Sequence, residues 1–357
     1  MGAASPNPRP PGPSGGREAV AVSAVVLAAG EGTRMRSARP KVLSPLLGAP
    51  LLRFPLDALD EAGIGHQVIV TGYGREQVEG AFAGRAGVSF VVQEEMLGTG
   101  HAVLCARDTL ADAEPEAVVV VVCGDAPLQR GETIRALLEK HVGERAAVTV
   151  LTATVPDPAG YGRIVRDGEG CFLRIVEESD AAPVELRIGE VNAGTYAFSG
   201  AQLWPALHEI WREACGHASP RGNEVYLTTV LERLRSAGHS VATFKAADWR
   251  EALGVNTKRQ LAEAGAVLLE RRLGRLMDEG VDIPYPDKVV VEVDVEVGAG
   301  TLIHPFSLLR RGVRVGQGCE VGPFVHLREG SVLEDGAAVG DSVEVRRDRE
   351  TSTEEEP

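Results

Sequence analysis

From about residue 19 to 122 short apolar runs alternate with segments of helical spacing. Runs 19–27, 67–71, 88–92 and 117–122 read as buried strands, and 50–62, 75–83 and 99–108 as helices between them. Strands that alternate with helices build right-handed βαβ units and a mostly parallel sheet. Ligands of such sheets sit beyond the carboxyl ends of the strands, so the loops after these runs are where chemistry belongs. The pattern changes over 145–200, where the strand-like stretches 146–155, 162–167, 171–178 and 193–199 follow one another with turns between. They predict an antiparallel lid or extension of the sheet. Helices return at about 200–214 and 222–237, and a long one at about 257–279 leads the chain out of the domain.

The last part is periodic. Val291, Val297, Ile303, Leu309, Val315, Val321, Leu327, Leu333, Val339 and Val345 are spaced by six without a slip, and Gly follows directly at 298, 316, 322 and 340. Each six-residue unit forms one face of a prism, and three units form one coil of a parallel β-helix with the aliphatic stacked inward. The expected organisation is a disordered extension (1–18), an α/β Rossmann-like domain (19–256), a connecting helix (257–280), a short left-handed β-helix of hexapeptide repeats (281–345) and a charged tail (346–357).

Composition narrows the function. The 357 residues carry a formal charge of −14 and are 44% hydrophobic, so a sizeable core forms. Such a charge argues against nucleic-acid and anionic-membrane partners, yet leaves room for a small anion held by a few local cations or a metal. The 42 Gly and 21 Pro ask for many turns. Five scattered cysteines with no C-x-x-C suggest neither a zinc site nor a disulfide framework, and point to a reducing cytosol. Residues 19–29 resemble a signal-peptide core, but they run straight into a glycine-rich turn and read as a buried strand. No run reaches the ~18 apolar residues of a membrane span, so the expected location is the cytoplasm.

Three segments carry candidate chemistry. Leu27-Ala28-Ala29-Gly30-Glu31-Gly32-Thr33-Arg34-Met35 ends the first strand, and Arg39-Pro40-Lys41 follows. Small residues let backbone approach a ligand, successive N–H groups make an anion nest, and Arg34 and Lys41 add positive charge. After the third strand, Gln93 precedes Gly98-Thr99-Gly100-His101-Ala102. An amide beside a small-residue turn suits a base edge, although Thr99 as a simple helix cap fits equally. Asp125, in Cys123-Gly124-Asp125, lies just past the apolar run 118–122. There it is placed for magnesium or as a turn former.

Together these motifs resemble the signature L-x-x-G-x-G-T-x-M…P-K of the sugar-1-phosphate nucleotidyltransferases, and in detail the N-acetylglucosamine-1-phosphate uridyltransferases. These are usually joined to a β-helical acetyltransferase half. The resemblance covers about residues 20–345. It implies that Leu27, Ala28, Ala29 and Gly30 hold the nucleotide, Arg34 the β,γ-phosphates and Lys41 the reacting phosphates. Gln93, Gly98 and Thr99 would meet uracil. Asp125 and Asn256, the latter in Gly254-Val255-Asn256-Thr257, would ligate Mg²⁺, with Arg34, Lys41 and Asp125 as the catalytic group. Cys123, Gly124, Gly162, Glu177 and Asn192 would line the sugar pocket. On their own, Asn256 also reads as a helix cap, Glu177 as a strand-surface charge and Asn192 as a turn residue.

The family pattern is broken at places. Cys123 replaces an aromatic, Ser179 replaces a Lys, and Tyr226-Leu227-Thr228-Thr229 stands for Y-L-T-D. Arg328 matches a sugar-phosphate Arg of the acetyltransferase half, Arg346 stands where that half has a Lys, and neither His304 nor His326 matches its general-base His. The expected function is Mg²⁺-dependent uridylyl transfer from UTP to N-acetylglucosamine-1-phosphate, without acetyltransferase activity. The solenoid implies a homotrimer. Another sugar-1-phosphate with UTP or dTTP, or a non-catalytic sugar-nucleotide-binding homologue, stay open as alternatives.

Overall fold

The structure is a computed structural model that describes residues 20–110, 117–216 and 224–340, with 344–345 for the backbone alone. The proposed extension 1–18 and tail 346–357, with Arg346, lie outside the described residues.

The first part of the chain runs β1 (Val22–Leu27), a small hairpin β2 (Pro45–Leu46) and β3 (Ala49–Pro50), α1 (Arg53–Glu61), β4 (Gln67–Thr71), α2 (Arg75–Phe82), β5 (Val88–Val92), α3 (Thr99–Cys105), β6 (Val118–Cys123) and α4 (Gly131–Glu144). Then follow β7 (Val148–Thr154), β8 (Arg163–Arg166), β9 (Phe172–Val176), β10 (Glu190–Ser199), α5 (Gly200–Gly216), α6 (Thr228–Ser236), β11 (Val241–Lys245) and α7 (Lys258–Asp278). The main sheet has the order β11-β7-β10-β6-β1-β4-β5, with β8 and β9 attached to β10. Pairs among β6, β1, β4 and β5 are parallel, as is β11 with β7, while β10 runs antiparallel to β6, β7 and β8. The expected extension is therefore β7–β10 inserted into the sheet. Strand β11 and the β2–β3 hairpin escape the sequence pattern, and α6 starts later than expected.

The alternation of side chains sorts the strand residues onto two faces. Val25, Val68, Val70, Val119, Val121, Val148 and Val150 pack under α3, α5 and α6. Their neighbours Ala24, Val26, Ile69, Val118, Val120, Val122 and Leu151 pack under α1, α2 and α4. Helices on both faces explain why these strands are apolar throughout. The chain moves from β1 to β4 and β5 on one side, then crosses back to β6 on the other, so β1 and β6 flank a topological switch point. The loops beyond their carboxyl ends open into a crevice there.

His141 of α4 is buried with Nδ1 3.1 Å from Thr149 Oγ1. Burial pushes its pKa down to about 4. The unfolded ring, near 6.5, binds its proton first, so the stability contributed by the neutral ring is full above pH 6.5 and is lost as pH falls towards 4. Unfolding stability should drop across that window by up to ~3 kcal/mol. His141→Gln should flatten the slope in urea unfolding at pH 7 and 4.5.

Beyond α7, ten two-residue strands from β12 (Val290–Val291) to β21 (Glu344–Val345) form three parallel ladders, β12-β15-β18-β21, β13-β16-β19 and β14-β17-β20. Partners lie eighteen residues apart, as in Leu309 with Val291 and Leu327. That is three hexads per coil, the prism of a left-handed β-helix. A positive φ recurs every sixth residue, at Asp294, Gly300, Phe306, Gly312, Gly318, Phe324, Gly330 and Gly336. Each marks a corner where the chain turns to the next face, and five of these eight corners are glycine. Leu273 and Leu276 of α7 close one end of the stack. The hairpin Leu47 carbonyl accepts from Val293 N–H, and Arg53 pairs with Asp294, so the solenoid is fastened to the first domain.

Candidate active site

The crevice between β1 and β6 gathers the expected phosphate machinery. Ala28 and Ala29 are buried as β1 ends; Ala28 N–H completes the ladder to the Val70 carbonyl, and the Ala29 carbonyl accepts from Tyr73 N–H. Ala28 N–H is thus paired within the sheet. From Ala29 to Arg34 no backbone N–H meets a backbone carbonyl among the described residues. A Cβ on Gly30 would find open space within 4 Å, as a cradle for a ligand requires. Gly32 has φ +65°, and a Cβ there would lie 2.6 Å from Lys41 Cβ, so only glycine lets the loop fold over the lysine stem.

Lys41 opens a short turn of 3-10 helix, and its Nζ donates to Asp125 Oδ2 and, at 3.1 Å, to Asn256 Oδ1. Arg34 Nη2 donates to the same amide oxygen at 3.0 Å. Asp125 is positioned from β6 through Gly124, whose N–H bonds to the Leu27 carbonyl at 2.9 Å; a Cβ on Gly124 would also sit 2.9 Å from that oxygen. The Asp125 carbonyl in turn accepts from Val255 N–H at 2.8 Å, which ties the Asn256 segment to the β6 loop. Asn256 does not cap α7. Thr257 does, in a capping box with Gln260, and the Gln260 Oε1 also accepts from Asn256 N–H. The amide of Asn256 is thereby free to face Lys41 and Arg34.

Two oxygens, one carboxylate and one amide, thus converge on a single cation, the Lys41 ammonium. Hard oxygen donors of this kind fit magnesium, which takes one or two carboxylates and completes its shell with phosphate oxygens and water. Among the described residues no group of three or more His, Cys, Asp or Glu forms a metal cluster. A cation at Asp125 and Asn256 would draw its other ligands from substrate and water.

Several of the expected sugar and base residues line two cavities. One, of about 540 Å³, is lined by Leu27, Thr99, Cys123, Glu177, Asn192 and Tyr196 among others. Thr99 lines this cavity, and its Oγ1 accepts from Leu227 N–H, not from its own helix. Gly98, with φ +93°, lies so close to the Val225 carbonyl that a Cβ would come within 2.4 Å of it. Gly162 leaves room for Glu177, whose carboxylate would stand 3.3 Å from a Cβ there. Thr228 Oγ1 donates to Glu177 Oε1 at 3.3 Å. Asn192 Oδ1 accepts from Gly194 N–H, and its Nδ2 donates to the Tyr196 hydroxyl at 2.6 Å, within a break in the β10 register. Burial pushes the Cys123 thiol up to about 12 and the Tyr196 phenol higher still, so both stay protonated near neutrality.

Thr228, Tyr226, Tyr196 and Glu178 also line this cavity without having been singled out as site residues. Tyr226 and Thr228 were legible only as a departure from a motif. Tyr196, an apolar position in a strand, carried no signal. The second cavity, about 640 Å³, is lined by Glu31, Gly72, Tyr73, Gly74, Gln93 and Met96 among others.

The MobA-like NTP transferase domain matches residues 24–216. The chain is 42% identical over 286 residues to the bifunctional protein GlmU of Exiguobacterium sp., covering 80% of this chain and 61% of that protein. It is 45% identical over 289 residues to the bifunctional protein GlmU of Heliobacterium modesticaldum, covering 80% and 60%. The chain therefore spans about 60% of the length of these curated relatives. A Bacillus anthracis protein assigned as a glucose-1-phosphate thymidylyltransferase, solved in complex with a sucrose, shares the fold at TM-score 0.57 and 20% identity. That match covers 69% of this chain and 95% of the other. No helix among the described residues is long and apolar enough to cross a membrane. With the glycine loop, the strand-end aspartate and the βαβ order all in place, the chain belongs to the MobA-like NTP transferase family.

Proposed function

We propose that the protein transfers a uridylyl group from UTP to N-acetylglucosamine-1-phosphate, releasing pyrophosphate, with Mg²⁺ bound at Asp125 and Asn256. The observation that carries this reading is the convergence of Lys41, Arg34, Asp125 and Asn256 beyond the ends of β1 and β6. A sugar-1-phosphate oxygen, already anionic, would attack the α-phosphorus of UTP, and the bond to the β-phosphate oxygen would break. No strong general base is needed, so catalysis reduces to positioning and charge neutralisation.

Lys41 and Arg34 would hold phosphate oxygens, and the free N–H groups between Ala29 and Arg34 would cradle the triphosphate. Mg²⁺, when bound, would supply further positive charge to the phosphate oxygens. Glu177, Asn192 and Gly162 would orient the sugar, with Cys123, Gly124 and Thr99 beside it. Gln93 and Gly98 would form the base side of the crevice. The reading places the protein in the cytoplasm, as a homotrimer assembled through the solenoid.

Because Glu177 faces sugar hydroxyls rather than reacting phosphates, Glu177→Ala should raise KM for the sugar phosphate roughly 10–100-fold and leave kcat within about threefold. The substrate is tested by crossing N-acetylglucosamine, glucosamine, glucose and galactose 1-phosphates with UTP and dTTP. Preference for N-acetylglucosamine-1-phosphate with UTP supports the assignment. Preference for another sugar keeps the mechanism and reassigns the pocket around Cys123 and Ser179.

A further inference from the structure

His101 has no place in the reaction just described, yet it is tied to the residue on the base side of the crevice. Gln93 is 3% exposed. Its Nε2 lies 3.0 Å from the Gly98 carbonyl oxygen and 3.1 Å from His101 Nδ1. A carbonyl oxygen only accepts, so the amide atom facing it is the nitrogen. The second amide hydrogen then points at His101 Nδ1, which must be the ring's unprotonated nitrogen.

Several contacts maintain that ring state. His101 stacks on Trp211 with centroids 4.6 Å apart and planes at 23°, and Cys105 Sγ stands 3.9 Å from Nε2, where the ring proton belongs. Burial holds its pKa below the usual histidine value, against the opposing influence of the Glu95 carbonyl and carboxylate. Both amide hydrogens of Gln93 are thus spent inside the protein, and its carbonyl Oε1 is the atom left for a ligand in the cavity that Gln93 lines.

We propose that His101 is a positioning residue that fixes the Gln93 amide with its oxygen towards the base, so that the site selects a pyrimidine whose ring N3 carries a hydrogen. Uracil and thymine present N3–H as a donor, whereas N3 of cytosine is an acceptor and would meet Oε1 oxygen to lone pair. The inference rests on the uridylyl-transfer reading for the location of the base. It goes further by assigning the discrimination between UTP and CTP to a histidine that touches neither substrate. A site built to receive a hydrogen bond rejects the analogue that lacks the donor far more strongly than shape alone allows.

Two variants separate orientation from packing. His101→Phe keeps a ring against Trp211 and removes the acceptor. His101→Asn restores an acceptor, since its Oδ1 stands where Nδ1 did, but loses the stack. Dissociation constants of UTP and CTP are measured by calorimetry alongside steady-state pyrophosphate release. The expected result is a UTP-over-CTP preference in the wild type that falls about five- to tenfold in His101→Phe. KM for UTP should carry the change, kcat should stay within about twofold, and His101→Asn should recover most of the preference. An unchanged preference in His101→Phe overturns the proposal, and so does an equal kcat loss in both variants, which would mark a purely structural role. Wild-type protein that prefers UTP in calorimetry but releases no pyrophosphate overturns the reaction and leaves this assignment standing. Wild-type protein that binds UTP and CTP equally overturns this assignment whatever its turnover.

Discussion

Lys41→Ala is expected to lower kcat for uridylyl transfer by ~10²–10³ while KM for the sugar phosphate changes less than about threefold. The ammonium is held by two acceptors, Asp125 and Asn256, at the point where the loops after β1 and β6 meet. Its side chain is only 11% exposed, and the stem is boxed in by Gly32, so the ammonium is confined to this crevice. With Mg²⁺ on Asp125 and Asn256 the ammonium would turn to the phosphates and neutralise charge that shifts from the α-phosphate to the departing pyrophosphate. Alanine removes that charge but leaves β1, β6 and the sugar cavity as they are. Near-wild-type circular dichroism and sugar-nucleotide binding, with kcat alone reduced, is the expected signature. A loss confined to KM would move Lys41 from the reacting phosphates to general anchoring.

Asp125→Asn carries the second large effect. The substitution keeps the shape and the Gly124 and Val255 backbone contacts that place the residue, and removes one negative charge from a two-oxygen set. Affinity for Mg²⁺ should fall, and kcat at ordinary Mg²⁺ should drop by ~10²–10³, with part of the loss recovered at high Mg²⁺. A Mg²⁺ titration of pyrophosphate release separates the two components. An unchanged half-saturating Mg²⁺ in Asp125→Asn would take the metal away from this residue. Comparable kcat losses in Lys41→Ala, Asp125→Asn and Glu177→Ala, all folded, would dissolve the division between phosphate and sugar groups.

The parallel half of the sheet was legible because βαβ strands are buried on both faces and read as continuous apolar runs. Val118 to Val122 is the clearest of them. The solenoid was legible for a different reason: an inward aliphatic recurs wherever the prism repeats, and all ten expected positions from Val291 to Val345 fall in short strands. Strand β11, Val-Ala-Thr-Phe-Lys, was hidden because Thr243 and Lys245 break its apolar run, whereas the equally short edge strand β5 reads Val-Ser-Phe-Val-Val. The β2–β3 hairpin has two-residue strands that do not repeat, unlike those of the solenoid, so no periodicity marks them.

Within the candidate site, loop glycines and the Asp125 and Lys41 charges announced themselves by residue type. Whether Asn256 caps a helix or faces the crevice was undecidable from one residue, and the structure resolves it by giving the cap to Thr257. Thr99 was ambiguous for the same reason, and its bond to Leu227 N–H depends on a partner 128 residues away. Tyr196 lies on the same face of β10 as Asn192 and Gly194, but as an aromatic within an apolar strand its residue type reads as core and not as cavity lining.

The central claim is most directly tested by incubating the purified protein with UTP, N-acetylglucosamine-1-phosphate and Mg²⁺, and following product by phosphorus NMR. The expected spectrum shows the paired resonances of UDP-N-acetylglucosamine together with pyrophosphate in equal amounts, and neither when Mg²⁺ is chelated. Folded protein that binds UDP-N-acetylglucosamine yet forms no diphosphate bond with any sugar phosphate would contradict it. The crevice of Lys41, Asp125 and Asn256 would then be a binding site without turnover.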